Sequence, residues 1–130
     1  MCFESGKSEV FVAIDGDHVG EALESFLVQR DLEGAQKFSQ AVARLFQEYR
    51  QRLEQAGATI YICEGDSLLA SVPDAQFAPD LLKDLATEPC SVSAGLGWDP
   101  RSAFLALKVA KALGRNQVHS LLDDDVLGKR

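Results

Sequence analysis

The chain has few cysteines, and their arrangement excludes two common ways of stabilising a small protein. Its 130 residues contain three cysteines, Cys2, Cys63 and Cys90. The number is odd and no Cys-x-x-Cys spacing occurs, so neither a disulfide framework nor a structural zinc site is indicated. A reducing compartment, the cytoplasm, is therefore the expected location.

Positive charge is also scarce, and long apolar runs are missing. Thirteen Lys and Arg residues face twenty Asp and Glu residues, which gives a formal net charge of −7. An acidic surface of this kind disfavours binding to duplex nucleic acid, although a few local cations can still hold a small anion. No apolar run approaches the length of a membrane span, and the N-terminus lacks the layout of a secretory signal. We expect no membrane partner.

The composition and the hydrophobic pattern predict a single α+β domain over residues 1–130. Hydrophobic residues make up 46% of the chain and charged residues 25%, as in ordinary globular proteins. Apolar spacing predicts strands at 9–14, 59–63, 68–72, 90–96 and 118–121, and helices at 21–27, 35–56, 73–85 and 100–113. The last helix is expected to bury Ala103, Phe104, Leu107, Ala110 and Leu113. The order βααββαβαβ predicts a ferredoxin-like palm domain, with an antiparallel or mixed sheet and helices mainly on one face.

Two aspartates occupy positions that a metal site could use. Asp15 lies where the first strand ends, and Asp66 lies in the bend between the second and third strands. If the first strand pairs with that hairpin, the two carboxylates and the carbonyl of Gly16 supply hard oxygen ligands for Mg²⁺ or Mn²⁺. Gly16 and Gly65 would let the backbone approach the ion closely. The alternative is a pair of solvated turns, rich in Asp and Gly, that bind nothing.

A basic stripe near the C-terminal end of the chain is a second candidate feature. Lys108, Lys111 and Arg115 recur at helical spacing in an otherwise acidic protein. Such a stripe suits the phosphates of a nucleoside triphosphate, with a metal ion neutralising the same charges from the other side. The alternative is that these cations only solubilise an exposed helix face.

Three segments in this order resemble one family of enzymes. They are AIDGDHVG at 13–20, EGDS at 64–67, and SVSAG at 91–95 followed by AKALGRN at 110–116. Together they resemble the palm-type nucleotide cyclases: the GGDEF diguanylate cyclases, the polymerase subunit of type III CRISPR complexes, GTP cyclohydrolase III and the minimal CRISPR polymerases. The minimal CRISPR polymerases, which are small palm domains of about this length, are the most similar group.

The resemblance implies a role for individual residues. Asp15 and Asp66 would be metal ligands, with the carbonyl of Gly16 beside them, and Lys111 would contact phosphate. The candidate nucleotide-binding set is Gly16, Asp17, His18, Gly65, Ser67, Lys108, Lys111 and Arg115. For His18, a turn histidine without a catalytic role is an equal alternative. Glu64 stands where the family has its first glycine, and Ser67 stands where it has a second acid.

The resemblance also implies a reaction and its partners. Such enzymes join ATP, or another nucleotide, into cyclic di- or oligonucleotides and release pyrophosphate. The products serve as messengers, often in defence against phage, so a downstream effector protein is expected. Because a cyclic dinucleotide has two bonds to form, we expect a symmetric homodimer. The rival interpretations are a hydrolase similar to GTP cyclohydrolase III and a degenerate domain that binds a nucleotide without turning it over.

Overall fold

The computed structural model describes residues 9–73 and 82–122, which form a mixed sheet with helices packed on it. Its strands are β1 (Val10–Gly16), β2 (Thr59–Glu64), β3 (Ser67–Val72), β4 (Val92–Gly97) and β5 (Val118–Ser120). The helices of the described residues are α1 (Val19–Val28), α2 (Leu32–Gln55) and α3 (Pro100–Ala112). The α+β class expected from the sequence is confirmed.

Strand β1 lies at the centre of the sheet that the described residues form. The strand order is β2-β3-β1-β4-β5. Strand β1 pairs antiparallel with both β3 and β4, and β5 joins the edge parallel to β4. The predicted pairing of the first strand with the hairpin is therefore confirmed, and it brings the end of β1 to the tip of the β2–β3 hairpin.

One face of the sheet carries the larger part of the core, beneath α2. Val10, Val12 and Ile14 alternate along β1 and are almost fully buried, as are Phe46 and Leu53 of α2. Helix α2 begins at an N-cap, Asp31, whose carboxylate accepts a hydrogen bond from the backbone of its first turn. Burial of an apolar stripe, rather than helix propensity, stabilises such a helix in a folded protein.

The opposite face is covered in part by α3, which approaches β4 closely. A Cβ atom added to Gly95 would lie 2.2 Å from the backbone nitrogen of Leu107, so the helix backbone rests directly on the strand. Ala103 and Leu107 pack there against Ala13 of β1. Of the helices in the described residues, α1 and α2 thus lie on one face and α3 on the other.

Two burial predictions for α3 are wrong. Phe104 is 51% exposed and Leu113 is 62% exposed. The residues that α3 buries are Ala103, Ala106, Leu107 and Ala110. Most of these residues are alanines, because α3 lies so close to β4 that a phenyl ring on the buried face of the helix would not fit.

The helix predicted at 73–85 falls mostly outside the described residues, since 74–81 are not described. Residues 82–84 form a turn and bends, so the helix does not extend to Leu85. Among the helices of the described residues, none is both long enough and apolar enough to cross a membrane.

Candidate active site

The tip of the β2–β3 hairpin is held against the end of β1. Asp15 is the register partner of Ser67, the first residue of β3. The backbone nitrogen of Gly16 donates a hydrogen bond to the carbonyl of Asp66 at 2.9 Å. Gly65 opens the two-residue turn with a φ of +57°, a conformation that favours glycine in tight hairpins. Backbone pairing thus brings the two predicted metal-ligating residues together.

The side chain of Asp66 lies directly over Gly16. A Cβ atom on Gly16 would be 3.1 Å from Oδ2 of Asp66 and 2.8 Å from Val19, so this position has little room for a side chain. Burial raises the pKa of Asp66, and the negative charge of Asp15 raises it further, while Lys111 opposes the shift. Two carboxylates that repel each other in a partly desolvated cleft are well placed to gain from a shared cation.

Both oxygens of Asp15 have polar neighbours. Oδ1 accepts a hydrogen bond from the Ser67 hydroxyl at 2.9 Å, and Oδ2 lies 3.2 Å from Nζ of Lys111. The side chain of Asp15 is 30% exposed. Ser67, which replaces the acid expected at its position, therefore fixes the orientation of the Asp15 carboxylate.

Asp17 is placed differently, because its side chain is only 1% exposed. Ser91 and Ser93 donate to it at 2.7 and 2.8 Å, and the backbone nitrogen of Asn116 donates at 3.1 Å. Lys111 also donates to it, at 3.2 Å. Burial alone would raise the pKa of Asp17, but these hydrogen bonds together lower it below its ordinary value. The carboxylate thus connects β1, β4 and the segment after α3.

Sequence reasoning missed the partners of Asp17. Ser91 and Ser93 alternate with apolar residues, which is the ordinary pattern of a strand, and Asn116 lies in a segment whose sequence is typical of a turn. Strand spacing gives no signal for them, because Ser93 is the register partner of Asp15 and not of Asp17. Asn116 and Arg115 both have left-handed backbones, with φ of 53° and 67°, as in a tight turn after a helix.

The three cations of the basic stripe lie in two different environments. Lys111 donates to the carbonyl of Gly16 at 3.1 Å in addition to its contacts with Asp15 and Asp17. Nε of Arg115 lies 4.0 Å from Asp17 and, within the described part of the chain, has no hydrogen-bond acceptor. Lys108 instead stacks over the ring of Phe104 at 5.1 Å. Lys111 and Arg115 therefore converge on the acidic end of β1, and Lys108 does not.

A cavity of about 340 Å³ opens beside these groups, between the hairpin, β1 and α3. Its polar wall is formed by Asp15, Ser67, Lys108 and Lys111. Its apolar walls are formed by Ala13, Ile14, Ile62, Leu68, Leu69, Pro100, Phe104 and Leu107. A pocket with few polar groups at one end of an apolar surface is typical of sites for small organic ligands.

His18 lies at the start of α1, outside this cluster. It is the N-cap residue of that helix, with a left-handed φ of 59°, and its side chain makes no capping hydrogen bond. Its Nδ1 lies 2.7 Å from a carboxylate oxygen of Glu21, and both side chains are more than half exposed. The geometry thus leaves the histidine accessible and gives it a local partner.

The donor set has the chemistry that a magnesium ion uses. Within residues 9–73 and 82–122, no group of three or more His, Cys, Asp or Glu side chains is arranged to hold a metal ion. What converges instead is two carboxylates, from Asp15 and Asp66, and the carbonyl of Gly16. Two of these groups already face a cation, the ammonium of Lys111. Magnesium commonly takes only one or two carboxylates and completes its octahedron with water and substrate phosphates.

The fold defines the class of protein first. The structure is similar to the GGDEF domain of DgcB from Caulobacter crescentus in complex with c-di-GMP, with a TM-score of 0.59 and 16% identity over 88% of this chain and 78% of that one. The active GGEEF domain of a diguanylate cyclase from Vibrio cholerae gives a TM-score of 0.57 at 17% identity, covering 88% of this chain and 83% of that one. Diguanylate cyclase SiaD from Pseudomonas aeruginosa, solved with its activator SiaC, gives 0.62 at 18% identity, covering 88% and 50%. The chain therefore has the palm fold of the GGDEF domains.

The sequence then defines the family. Residues 11–121 match the minimal CRISPR polymerase domain, mCpol, and the chain belongs to that family. No curated protein has a significantly similar sequence. The family match supports a domain of the nucleotide polymerase or cyclase type.

Proposed function

We propose that the protein is a metal-dependent nucleotidyltransferase that joins ATP into a cyclic di- or oligonucleotide and releases pyrophosphate. The observation that carries the proposal is the convergence of Asp15, the Gly16 carbonyl and Asp66 at one rim of the sheet. Asp66 lies over Gly16, and Asp15 raises its pKa. These three groups would hold Mg²⁺ or Mn²⁺. A bound divalent ion supplies Lewis-acid activation of a ribose hydroxyl and stabilises the charge of the leaving pyrophosphate.

The residues of the chain itself position the nucleotide. Ser67 holds one oxygen of Asp15, so the carboxylate presents a fixed edge to the cleft. Lys111 and Arg115 bring two positive charges to the same rim, where a triphosphate needs neutralising charge. The adjoining cavity gives the organic part of the substrate an apolar surface that excludes water. Catalysis would thus depend on positioning and electrostatic stabilisation rather than on a covalent intermediate.

A cyclic dinucleotide requires two phosphodiester bonds, each with its own hydroxyl and its own α-phosphorus. Two protomers that face each other, each with one bound nucleotide, present both pairs of reacting groups. The proposal therefore includes a symmetric homodimer as the active species. It also includes an effector that binds the product and a role in defence against phage, which family membership supports.

Product analysis tests the proposal. The purified protein is incubated with ATP, GTP, CTP or UTP and either Mg²⁺ or Mn²⁺, and products are identified by mass spectrometry. We expect a cyclic phosphodiester and pyrophosphate from ATP. In Asp66→Asn we expect the rate of product formation to decrease by about a hundredfold or more, because a single electrostatic interaction with the transition state commonly contributes that much. The matched control is Asp84→Asn, at an exposed aspartate that does not line the cavity. A ring-opened pyrimidine formed from GTP would favour the hydrolase instead.

A specific observation also favours a second candidate function, a nucleotide-binding sensor without turnover. Ser67 occupies the position of the second acid and bonds to Asp15, and the ammonium of Lys111 neutralises that same carboxylate. Both features reduce the negative charge available to a metal. Calorimetry distinguishes the two functions: a sensor binds nucleotide without forming any product in Mg²⁺ or Mn²⁺, and an enzyme consumes it.

A further inference from the structure

The side-chain nitrogen of Lys111 lies among three oxygens in the acidic cleft. Its Nζ lies 3.1 Å from the carbonyl oxygen of Gly16, 3.2 Å from Oδ2 of Asp15 and 3.2 Å from Oδ1 of Asp17. A lysine ammonium has three donors, and here each has an oxygen within reach. The side chain is 18% exposed, so these contacts are shielded from water.

Two of these three oxygens belong to the donor set proposed for the metal. Magnesium binds oxygen at about 2.0–2.1 Å, so it would need the lone pairs of Asp15 and Gly16 that now face the ammonium. A divalent ion and an ammonium on the same two oxygens would also repel each other strongly in a cleft of low dielectric. The two cations therefore compete for one position.

A triphosphate changes this competition because it brings its own oxygens. An ammonium displaced from Asp15 and Gly16 could move to a phosphate and keep its charge compensated. Free metal offers no such replacement. Asp17 has three further hydrogen-bond donors besides Lys111 and so remains compensated when the lysine moves.

We propose that Lys111 is a resident counter-ion of the Asp15–Gly16 position, and that the site therefore takes up its divalent metal together with a triphosphate in preference to free metal. This inference rests on the proposed function, because it assumes that Asp15 and Gly16 ligate a metal. It adds an order of events: the nucleotide enters as its metal complex, and the ammonium leaves the carboxylate as that complex binds.

Metal binding in the absence of nucleotide tests the inference without measuring activity. Binding of Mn²⁺ is followed by electron paramagnetic resonance of the free ion, in wild type, Lys111→Met and Lys37→Met. Lys37 is the control because it is exposed on α2, pairs with Glu33 and does not line the cavity. We expect Lys111→Met to bind Mn²⁺ at least tenfold more tightly than wild type, and Lys37→Met to stay within about threefold.

The same proteins are then compared with an unreactive triphosphate analogue. Lys111→Met is expected to bind the Mn²⁺–analogue complex more weakly than wild type, because the phosphate has lost its ammonium partner. Equal or weaker binding of free Mn²⁺ by Lys111→Met overturns the inference while leaving the proposed function intact. Absence of Mn²⁺ binding in every protein, with and without the analogue, overturns both.

A measurement on the wild type covers the case in which the variant does not fold. The ammonium resonance of Lys111 is observed by nitrogen-15 NMR and assigned by comparison with Lys111→Arg. Millimolar free Mg²⁺ is expected to leave it in place, and Mg²⁺ with the analogue is expected to move it. An unchanged Lys111 resonance in protein that has bound the complex contradicts the exchange.

Discussion

Replacing Asp17 with Asn should cost far more stability than the same change at Asp15, two residues earlier. Asp17 is 1% exposed, whereas Asp15 is 30% exposed. Asn keeps the volume, so no cavity forms, but its amide group must face a donor. One of the donors to Asp17 is the backbone N–H of Asn116, which cannot rotate away as a hydroxyl can. The substitution therefore leaves buried donors without an acceptor.

The size of the effect follows from burial of the ion pair. Removing one partner of a buried ion pair costs about 3–5 kcal/mol. A domain of this size has a total unfolding free energy of about 5–15 kcal/mol, so Asp17→Asn loses a large part of it. With about 3–5 °C of melting temperature for each kcal/mol, the expected decrease is about 9–25 °C. For Asp15→Asn we expect a change of about 1 kcal/mol or less, because its ion pair is partly exposed and its repulsion of Asp66 is relieved.

Urea denaturation followed by circular dichroism measures both variants. The midpoint should decrease for Asp17→Asn while the slope with denaturant stays constant.

The pH dependence of stability provides a second test. Because the folded pKa of Asp17 lies below its ordinary value of 3.8, its contribution is fully present above that value and is lost as pH decreases through the folded pKa. Acid should therefore destabilise wild type more steeply than Asp17→Asn. Equal stability of the Asp17 and Asp15 variants would refute this reasoning.

Three further predictions concern packing, positioning and assembly. Gly95→Ala should prevent stable folding, because its Cβ would lie 2.2 Å from the backbone of α3. Gly20→Ala, whose Cβ has nothing within 4 Å, should instead stabilise α1 by about 0.5–1 kcal/mol. Equal melting temperatures of the two variants would contradict the close contact between α3 and β4. Ser67→Ala should lower kcat by about three- to tenfold without a matching loss of stability, because it removes the hydrogen bond to one oxygen of Asp15. An unchanged kcat would show that this hydrogen bond does not position the carboxylate. If two protomers complete one reaction, the activity per protomer should decrease as the protein is diluted. Mass photometry gives the dissociation constant of the dimer. A specific activity that stays constant at protein concentrations below that constant would contradict a dimeric active species.

The sequence predicted the strands and the pairing of β1 with the β2–β3 hairpin, because the apolar runs and the turn between them indicate both. Apolar runs define β1 and the hairpin, and a hairpin with a two-residue turn allows few partners for a buried strand. The proximity of Asp15 and Asp66 follows from that pairing, since Asp15 is in register with Ser67, the residue next to Asp66. Prediction of this part of the site needed the order of the strands and no knowledge of side-chain packing.

The role of Asp17 could not be predicted in the same way. Its partners come from β4 and from the segment after α3, both of which are distant in sequence. Periodicity does not reveal which of two neighbouring aspartates is buried where a strand ends and the chain turns. The exposure of Phe104 was missed for a related reason, because the closeness of α3 to β4 depends on Gly95, and helical spacing carries no information about that distance.

The difference between EGDS and the family's glycine-rich bend can be understood from the backbone. Glu64 is the last residue of β2 and pairs with Ser67, so it occupies ordinary strand geometry that accepts any side chain. Gly65 has a φ of +57°, and a side chain there would be strained. The first glycine is thus dispensable for the turn and the second is not. Ser67, in register with Asp15, bonds to that carboxylate where an acid would repel it. The two substitutions therefore preserve the geometry of Asp15 and Asp66 and alter the charge around them, so that under the proposed function they would act on the affinity for the metal ion.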